Sequence, residues 1–573
     1  MHPEKAARVE APLSLGIDLS TQSITGVLVD PTDGKVVYEH SLSYTADTRL
    51  DGFGIDHQSF IIPPRRHGEA DQPPALFLTA LEALLEDMQG EAVPMQRIAV
   101  INLSAQQHGH VYLNRNFEAA LQALKSSEKA PQPIGRLAHL MGDIFSYQTA
   151  PIWMTSDTGE EADHIRTAVG GKADMIQLSG SDSPLRFTGA VVRRVGRHYP
   201  EEYRRTARIL LLNTFVAAVL SGRVDVACDF GNACGTSLLN YRKKQWDQNL
   251  IRVAAMGLPE GATGLLQKLP ALTEPYAAVG TIAAYFQDRF GLAAECRIAA
   301  GSGDNPQTKV LIPQNLLSLG TSFVHMVSND SPVVDENGFA NSMYDGLGRP
   351  FMFGCRTNGA LVWDRIRSMY NLKKNEYDPA EKALSESPAG SSLLLYQPYQ
   401  ESFPVSPEIP LQRYEGSPAD LGHDYSGIID SSLALLYYYS SNFSGGSRSQ
   451  GGSYTQGDQA ARGSVKGSTA EPERLYITGG PAGSPEILKR IAGLWNCEVV
   501  TIGSIGAALG AAAAGIKTLS EAGYPLNPET SIEQLLTIET KVVPDPVYVQ
   551  AYHGEGGYLR RLISIFENRN RIE

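Results

Sequence analysis

LSLGIDLSTQSITGVLVDPTDGKVVYEHSLSY, residues 13–44, contains three β-rich runs: Leu13 to Asp18, Ile24 to Asp30 and Lys35 to Tyr44. They are separated by LSTQS and by PTDG, and both separators are turn chemistry. An antiparallel meander at the head of a domain is the expected result. PALFLTALEALLEDMQ follows, with Leu76, Leu81, Leu84, Leu85 and Met88 at helical spacing, and RIAVINLS from Arg97 returns as an apolar strand that ends in the polar loop AQQHGH. Meander, helix and strand in that order predict an α/β domain whose loops carry the chemistry.

The pattern starts again in the second half. NLLSLGTSFVHMVSN from Asn315 holds two apolar runs around the tight turn Gly320, Thr321, Ser322. RLYITGGPAGSPEILKRIAGLWNCEVVTIG from Arg474 reads as strand, glycine turn, helix and strand. Ser484 and Pro485 are the expected N-cap and first residue of that helix, and Ile487, Ile491 and Leu494 form its apolar face. Two similar halves meeting near 270 to 280 are predicted from element order and turn type, giving domains 1–275 and 276–573. Residues 440–474 are Ser- and Gly-rich with almost no apolar side chains, the composition of a flexible surface insert.

Bulk properties narrow the partners. The 573-residue chain has 49 Lys plus Arg against 62 Asp plus Glu, a net charge of −13, and it has no dense basic block to attract nucleic acid or anionic lipid. A small-molecule partner is the expectation. Its five cysteines, at 228, 234, 296, 355 and 497, show no CxxC spacing and read as reduced thiols. The longest apolar stretch, ILLLNTFVAAVL from Ile209, is too short to span a membrane, and the polar start MHPEKAARVE lacks a signal core, so a cytoplasmic location is expected. One chain leaves the oligomeric state open, a homodimer included.

Three stretches offer phosphate cradles. In GIDLST a strand delivers Asp18 to its end beside free backbone N–H groups and the hydroxyls of Ser20 and Thr21, which suits a metal-associated carboxylate or a plain turn former. LGTS at Gly320 to Ser322 and TGG at 478–480 add two more turns where glycine lets backbone approach phosphate oxygens. GSGDNPQTKV, residues 301–310, places Asp304 just before a short helix, with Asn305 as expected N-cap and Pro306 as first helical residue. By itself that stretch leaves Asp304 as either a cap or a base.

Taken in order, GIDLSTQSITGVLVD, LSAQQHGH, PIWMTSDT, FTGA, DFGNACGTSLLN, GSGDNPQ, SLGTS and YITGG resemble the FGGY carbohydrate kinases from about residue 13 to about 520, the insert excepted. The STQ, QQHG and WM variants are most similar to the eukaryotic-type D-xylulose kinase branch. The resemblance implies two ribonuclease-H-like domains of the actin and hexokinase superfamily with a cleft between them, and ATP-dependent phosphorylation of D-xylulose at O5, with ATP and Mg²⁺ as cofactors. Ribulose, ribitol, gluconate or glycerol kinases are the alternatives within the family, and an inactive sugar or nucleotide sensor is the alternative outside catalysis.

The same resemblance implies roles. Asp304 would be the general base, with His108, Arg186, Asn305 and Trp153 beside it at the sugar. Asp18 would organise Mg²⁺ through water, and Ser20, Thr21, Gly320, Thr321 and Ser322 would hold the transferring phosphoryl group. Gly479, Gly480 and Ser484 would lie at the nucleotide. Read one at a time, His108 is equally a satisfied loop histidine, Arg186 a surface charge and Trp153 a core residue. Two positions depart from the family pattern: Thr25 stands where many relatives have Lys, and Ser484 where they often have Asn.

Overall fold

The computed structural model describes residues 11–126, 134–415, 419–441, 443, 474–503 and 505–570. Of the expected insert at 440–474, only Ser440, Ser441, Phe443 and Arg474 fall within the described residues. The chain forms two compact units. The first takes the described residues up to Leu311 with Ser342–Pro350 and Ile505–Leu536; the second takes Ile312–Asn341, those between Phe351 and Ser504, and those from Thr537 onward.

In the first unit the meander forms as β1 (Leu13–Leu19), β2 (Ser23–Asp30) and β3 (Lys35–Ser43). Every residue of β1 is buried, so it is a central strand covered on both faces. The helix Pro74–Gly90 then leads to β4 (Ile98–Ala105), which lies parallel to β1 with Asp18 opposite Ser104. Beyond come β5 (Ala278–Thr281), β6 (Arg297–Ala299) and the two-residue β7 (Ser302–Gly303). The sheet order is β5-β6-β4-β1-β2-β3, and β7 also pairs with β4, setting Ser302 opposite Ser104.

The second unit repeats this order. Six strands of its main sheet are β8 (Asn315–Leu319), β9 (Phe323–Ser328), β10 (Pro350–Arg356), β11 (Arg474–Thr478), β12 (Glu498–Ile502) and β13 (Ile538–Val542). They run β10-β9-β8-β11-β12-β13. In both units a meander lies on one side of the first strand, two parallel strands on the other, and an antiparallel strand closes the far edge. The expected division at 275 falls within the first sheet, because the turn signals near 270 to 280 introduce its edge strand β5 rather than a new domain. The expected C-terminal domain also yields Ile505–Leu536 to the first unit.

That returning segment carries the helix Ala507–Glu521, AALGAAAAGIKTLSE, which packs directly on β1. A Cβ on Gly16 would sit 1.9 Å from the Ala508 carbonyl oxygen and 2.4 Å from the Ala512 nitrogen. One on Gly510 would sit 1.9 Å from the Gln307 carbonyl oxygen in the helix Asp304–Val310. The Ser14 hydroxyl donates to the Ala512 carbonyl at 2.6 Å. Three backbones thus meet at distances that only small side chains permit.

The apolar stretch from Ile209 folds as a short strand, Arg208–Leu211, and the buried helix Leu212–Ser221. Among the described residues, no helix is long and apolar enough to cross a membrane. Cys228, Cys234 and Cys296 are buried free thiols.

Replacing Gly16 by Ala forces a methyl into helix backbone, whereas at Gly26 the added methyl would meet only the Leu84 side chain, at 3.2 Å. Overpacking of this kind costs about 1–3 kcal/mol where neighbours cannot shift. Thermal melting should therefore show Gly16→Ala several degrees below wild type and Gly26→Ala close to it; equal effects would mean that the helix is not held at backbone contact.

Candidate active site

The ends of β1, β4 and β7 converge at their carboxyl ends, the usual place for ligands in open α/β sheets. β1 delivers Asp18, β4 delivers Ser104 and the loop Gln106 to Gly109, and β7 runs into Asp304. The Ser104 hydroxyl donates to Asp18 Oδ1 at 2.6 Å. Burial, opposed by this bond and reinforced by the charge of Asp304, raises the Asp18 carboxyl to about 7. Burial also raises Asp304 to about 6, against backbone N–H donation from Asn305 and Gln107. Neither carboxylate has an ion-pair partner among the described residues.

Asp304 is the first residue of its helix, and the N-cap is Gly303 in extended conformation, φ −75° and ψ 166°. The expectation that Asn305 caps the helix and Pro306 opens it is therefore corrected. Pairing of β7 with β4 holds the backbone extended through Gly303, and the helix begins directly after it. Asn305 lies within the first turn. Its N–H donates to Asp304 Oδ1 at 2.8 Å, and its amide Nδ2 donates to Gln107 Oε1 at 2.9 Å. The carboxylate sits at the positive end of the helix, braced by its neighbour.

His108 is buried in a left-handed backbone conformation, φ 67°. Its Nδ1 is 3.0 Å from the Gly235 carbonyl oxygen, so Nδ1 carries the proton and Nε2 is left as an acceptor. Its ring stacks on Phe187 with centroids 4.6 Å apart. Burial, and then the positive charge of Arg186, hold His108 down at about 3, so the ring is neutral. A Cβ on Gly235 would lie 2.5 Å from His108 Nδ1, which is why DFGNACGTSLLN needs glycine there. Arg186 is half-buried and forms no ion pair among the described residues.

Trp153 is 43% exposed, which rules out the core alternative, and its indole N–H donates to the Thr21 hydroxyl at 2.9 Å. The Thr21 hydroxyl in turn donates to Gln106 Oε1 at 3.1 Å, Gln106 Nε2 donates to Gln72 Oε1 at 2.6 Å, and Gln72 Nε2 donates to the Thr21 carbonyl at 2.9 Å. Ser20 closes the turn by donating from its N–H and its hydroxyl to the Ser23 carbonyl, both at 3.0 Å. Sequence reading missed Gln72, Ser104, Gln106 and Gln107. The run of amides directly after a buried strand, in LSAQQHGH, was the available signal.

The first unit thus gathers Asp18, Ser20, Thr21, His108, Trp153, Arg186, Asp304 and Asn305. Gly320, Thr321, Ser322, Gly479, Gly480 and Ser484 belong to the second unit. There the tip of the β8–β9 turn is held by the Ala360 N–H donating to the Gly320 carbonyl at 3.1 Å. Gly359 packs beneath it, where a Cβ would lie 2.6 Å from the Thr321 carbonyl oxygen. Gly479 has φ 101°, and a Cβ on it would be 2.2 Å from the Leu319 carbonyl oxygen, whereas the space over Gly480 is open. Ser484 is the N-cap of Pro485–Trp495: its hydroxyl accepts from the Ile487 N–H at 3.1 Å and donates to Glu381.

Residues 147–310 match the N-terminal domain of the FGGY family of carbohydrate kinases. A relative from Aspergillus flavus, named probable D-xylulose kinase A, is 30% identical over 545 residues, covering 88% of each chain. D-xylulose kinase A from Aspergillus niger is 32% identical over 376 residues, covering 64% of this chain and 63% of its own length. Among solved structures, the xylulose kinase of Rhodospirillum rubrum superposes with a TM-score of 0.76 at 15% identity, covering 98% of this chain and 99% of its own. The Plasmodium falciparum glycerol kinase with ADP gives a TM-score of 0.72 at 13% identity, covering 98% of each chain. At such identities the superpositions establish the fold, two ribonuclease-H-like units of the actin and hexokinase type, while the near-full-length match to the A. flavus relative carries the kinship: the chain belongs to the FGGY family of carbohydrate kinases.

Proposed function

We propose that the protein transfers the γ-phosphoryl group of ATP to O5 of D-xylulose, giving D-xylulose 5-phosphate and ADP. The observation that carries this reading is the Asp304 carboxylate at a helix N-terminus, braced by Asn305 and close enough to Asp18 for the two charges to repel. The relatives named D-xylulose kinase support the choice of sugar.

In this mechanism the sugar hydroxyl gives its proton to Asp304 as its oxygen forms a bond to the γ-phosphorus and the bond to the ADP oxygen breaks. His108, neutral with Nε2 open, accepts a hydrogen bond from a sugar hydroxyl. Arg186 supplies donors, Asn305 offers its amide oxygen, and the exposed indole of Trp153 offers an apolar face to the carbon chain. Such polar matching discriminates hydroxyl patterns better than apolar packing does. In the first unit the turn at Ser20 and Thr21, and in the second unit the turn at Gly320, Thr321 and Ser322, are each assigned to phosphate oxygens, with Gly479, Gly480 and Ser484 assigned to the nucleotide. The buried thiols of Cys228, Cys234 and Cys296 suit a reducing, cytoplasmic setting.

The chemistry of the carboxylate pair fits a divalent cation. The two desolvated acids repel each other, and among the described residues no cationic side chain pairs with either. Asp18, through water, and Asp304 nearby would form the magnesium side of the site, and the ion would supply charge neutralisation on the triphosphate.

A coupled ADP-release assay comparing D-xylulose with D-ribulose, L-ribulose, ribitol, gluconate and glycerol tests the reading. D-xylulose should give the highest kcat/KM, and Asp304→Asn should lower kcat by roughly 100-fold or more. Another preferred sugar would overturn the substrate, and an active Asp304→Asn variant would overturn the base.

Stability against pH provides a second check. Asp18 and Asp304 are raised to about 7 and about 6, above the carboxylate value of 3.8, so the native state binds more protons than the unfolded chain between those limits. Metal-free stability should fall as pH rises from about 4 to about 7. Asp18→Asn, which removes one charge, should melt above wild type at pH 8, and added Mg²⁺ should raise the wild-type melting temperature more than that of the variant. The opposite order would remove Asp18 from the metal role.

A further inference from the structure

Asp229 opens the DFGNACGTSLLN segment and takes no part in the proposed chemistry, yet it is a wholly buried carboxylate beneath the site. Its Oδ2 accepts from the Ser302 hydroxyl at 2.5 Å and from the Asn232 N–H at 2.8 Å, and its Oδ1 accepts from Asn213 Nδ2 at 3.0 Å. Asn213 Nδ2 also donates to the Ala300 carbonyl at 3.1 Å, and Asn232 Nδ2 donates to Asn213 Oδ1 at 2.8 Å. Its neighbours in this network are therefore hydroxyl, amide and backbone N–H donors.

Ser302 is half of β7, the two-residue strand that runs directly into Asp304. Gly231 makes the approach possible: a Cβ there would lie 2.6 Å from the Ser302 hydroxyl and 2.5 Å from the Tyr344 carbonyl oxygen. Six residues after Asp229, the same segment presents the Gly235 carbonyl that fixes the His108 tautomer. One short piece of chain thus touches the strand that carries the base and the histidine assigned to the sugar.

We propose that Asp229 is a positioning residue: through Ser302 on one side and the turn ending at Gly235 on the other, it sets the separation between Asp304 and His108, and so aligns the sugar hydroxyl with its base. This rests on the reading of Asp304 as base and His108 as sugar acceptor. A buried carboxylate suits the task because it accepts several hydrogen bonds at once, whereas an asparagine keeps one acceptor and brings in two donors that face other donors. Misplacement by about 1 Å, far from the reacting atoms, is enough to cost on the order of 100-fold in rate.

The test compares wild type, Asp229→Asn and the milder Ser302→Ala, measuring kcat and KM for D-xylulose with MgATP, the Kd for D-xylulose from tryptophan fluorescence, and the melting temperature. Misalignment should lower kcat roughly 10–100-fold in Asp229→Asn and less in Ser302→Ala, with KM and Kd within about threefold of wild type. The double variant should lose little more than Asp229→Asn alone, since both changes cut the same link. Unchanged kcat in both variants overturns the proposal, as does a parallel loss of sugar binding and melting temperature, which is the signature of a merely structural role. Wild type without sugar-dependent ADP release would instead overturn the kinase reading itself, and this inference with it.

Discussion

The helix Ala507–Glu521 must lie at backbone contact with β1 and with the helix that starts at Asp304. Gly16, Gly510 and Gly515 are places where a side chain would prevent it, a Cβ on Gly515 lying 2.3 Å from the Ser14 hydroxyl. The run of alanines between Ala511 and Ala514 makes the rest of that face thin enough. Both elements that carry a key carboxylate, β1 with Asp18 and the helix with Asp304, are fixed against the same small-residue surface. The spacing of the acids is therefore set by hard packing, which has little compressibility, rather than by the side chains of the site.

On that frame, burial sets the charge state of the titratable groups. Burial holds both carboxylates on the protonated side of their ordinary range, and the same burial, with Arg186 nearby, keeps His108 neutral. An acid near neutrality is a better proton acceptor than one fixed far below it, and a neutral imidazole can accept a hydroxyl proton in a hydrogen bond where an imidazolium cannot.

Much of this was legible in the chain. Alternating runs and PTDG gave the meander, and Ser484 with Pro485 gave a helix start that the structure reproduces, because these are local effects of turn and cap chemistry. Asn305 was misread for an equally physical reason: Asn before Pro looks like a cap, but the pairing of Ser302 and Gly303 with β4, some two hundred residues earlier, overrides it. The boundary near 275 failed in the same way, since a turn cannot announce whether the next strand joins the old sheet. The supports of the site, Ser104 on Asp18 and the Gln72, Gln106 and Thr21 cycle, are contacts between distant segments, so LSAQQHGH marks the polar residues but not their partners. The return of Ile505–Leu536 to the first unit is the extreme case.

That return governs how the molecule comes into being on the ribosome. The helix that covers β1 at Gly16 is made long after β1 itself, on the order of tens of seconds later at usual rates of synthesis. Until then the first sheet has one bare apolar face, and the Asp304 helix is held to it only from the strand side, where Gln307 donates to the Leu103 carbonyl at 2.8 Å. The second unit, enclosed within the sequence of the first, is largely synthesised before the first can close. Nascent chains therefore pass through a long interval with exposed β-sheet surface, so the demand for chaperone protection falls on the unit that is translated first and completed last.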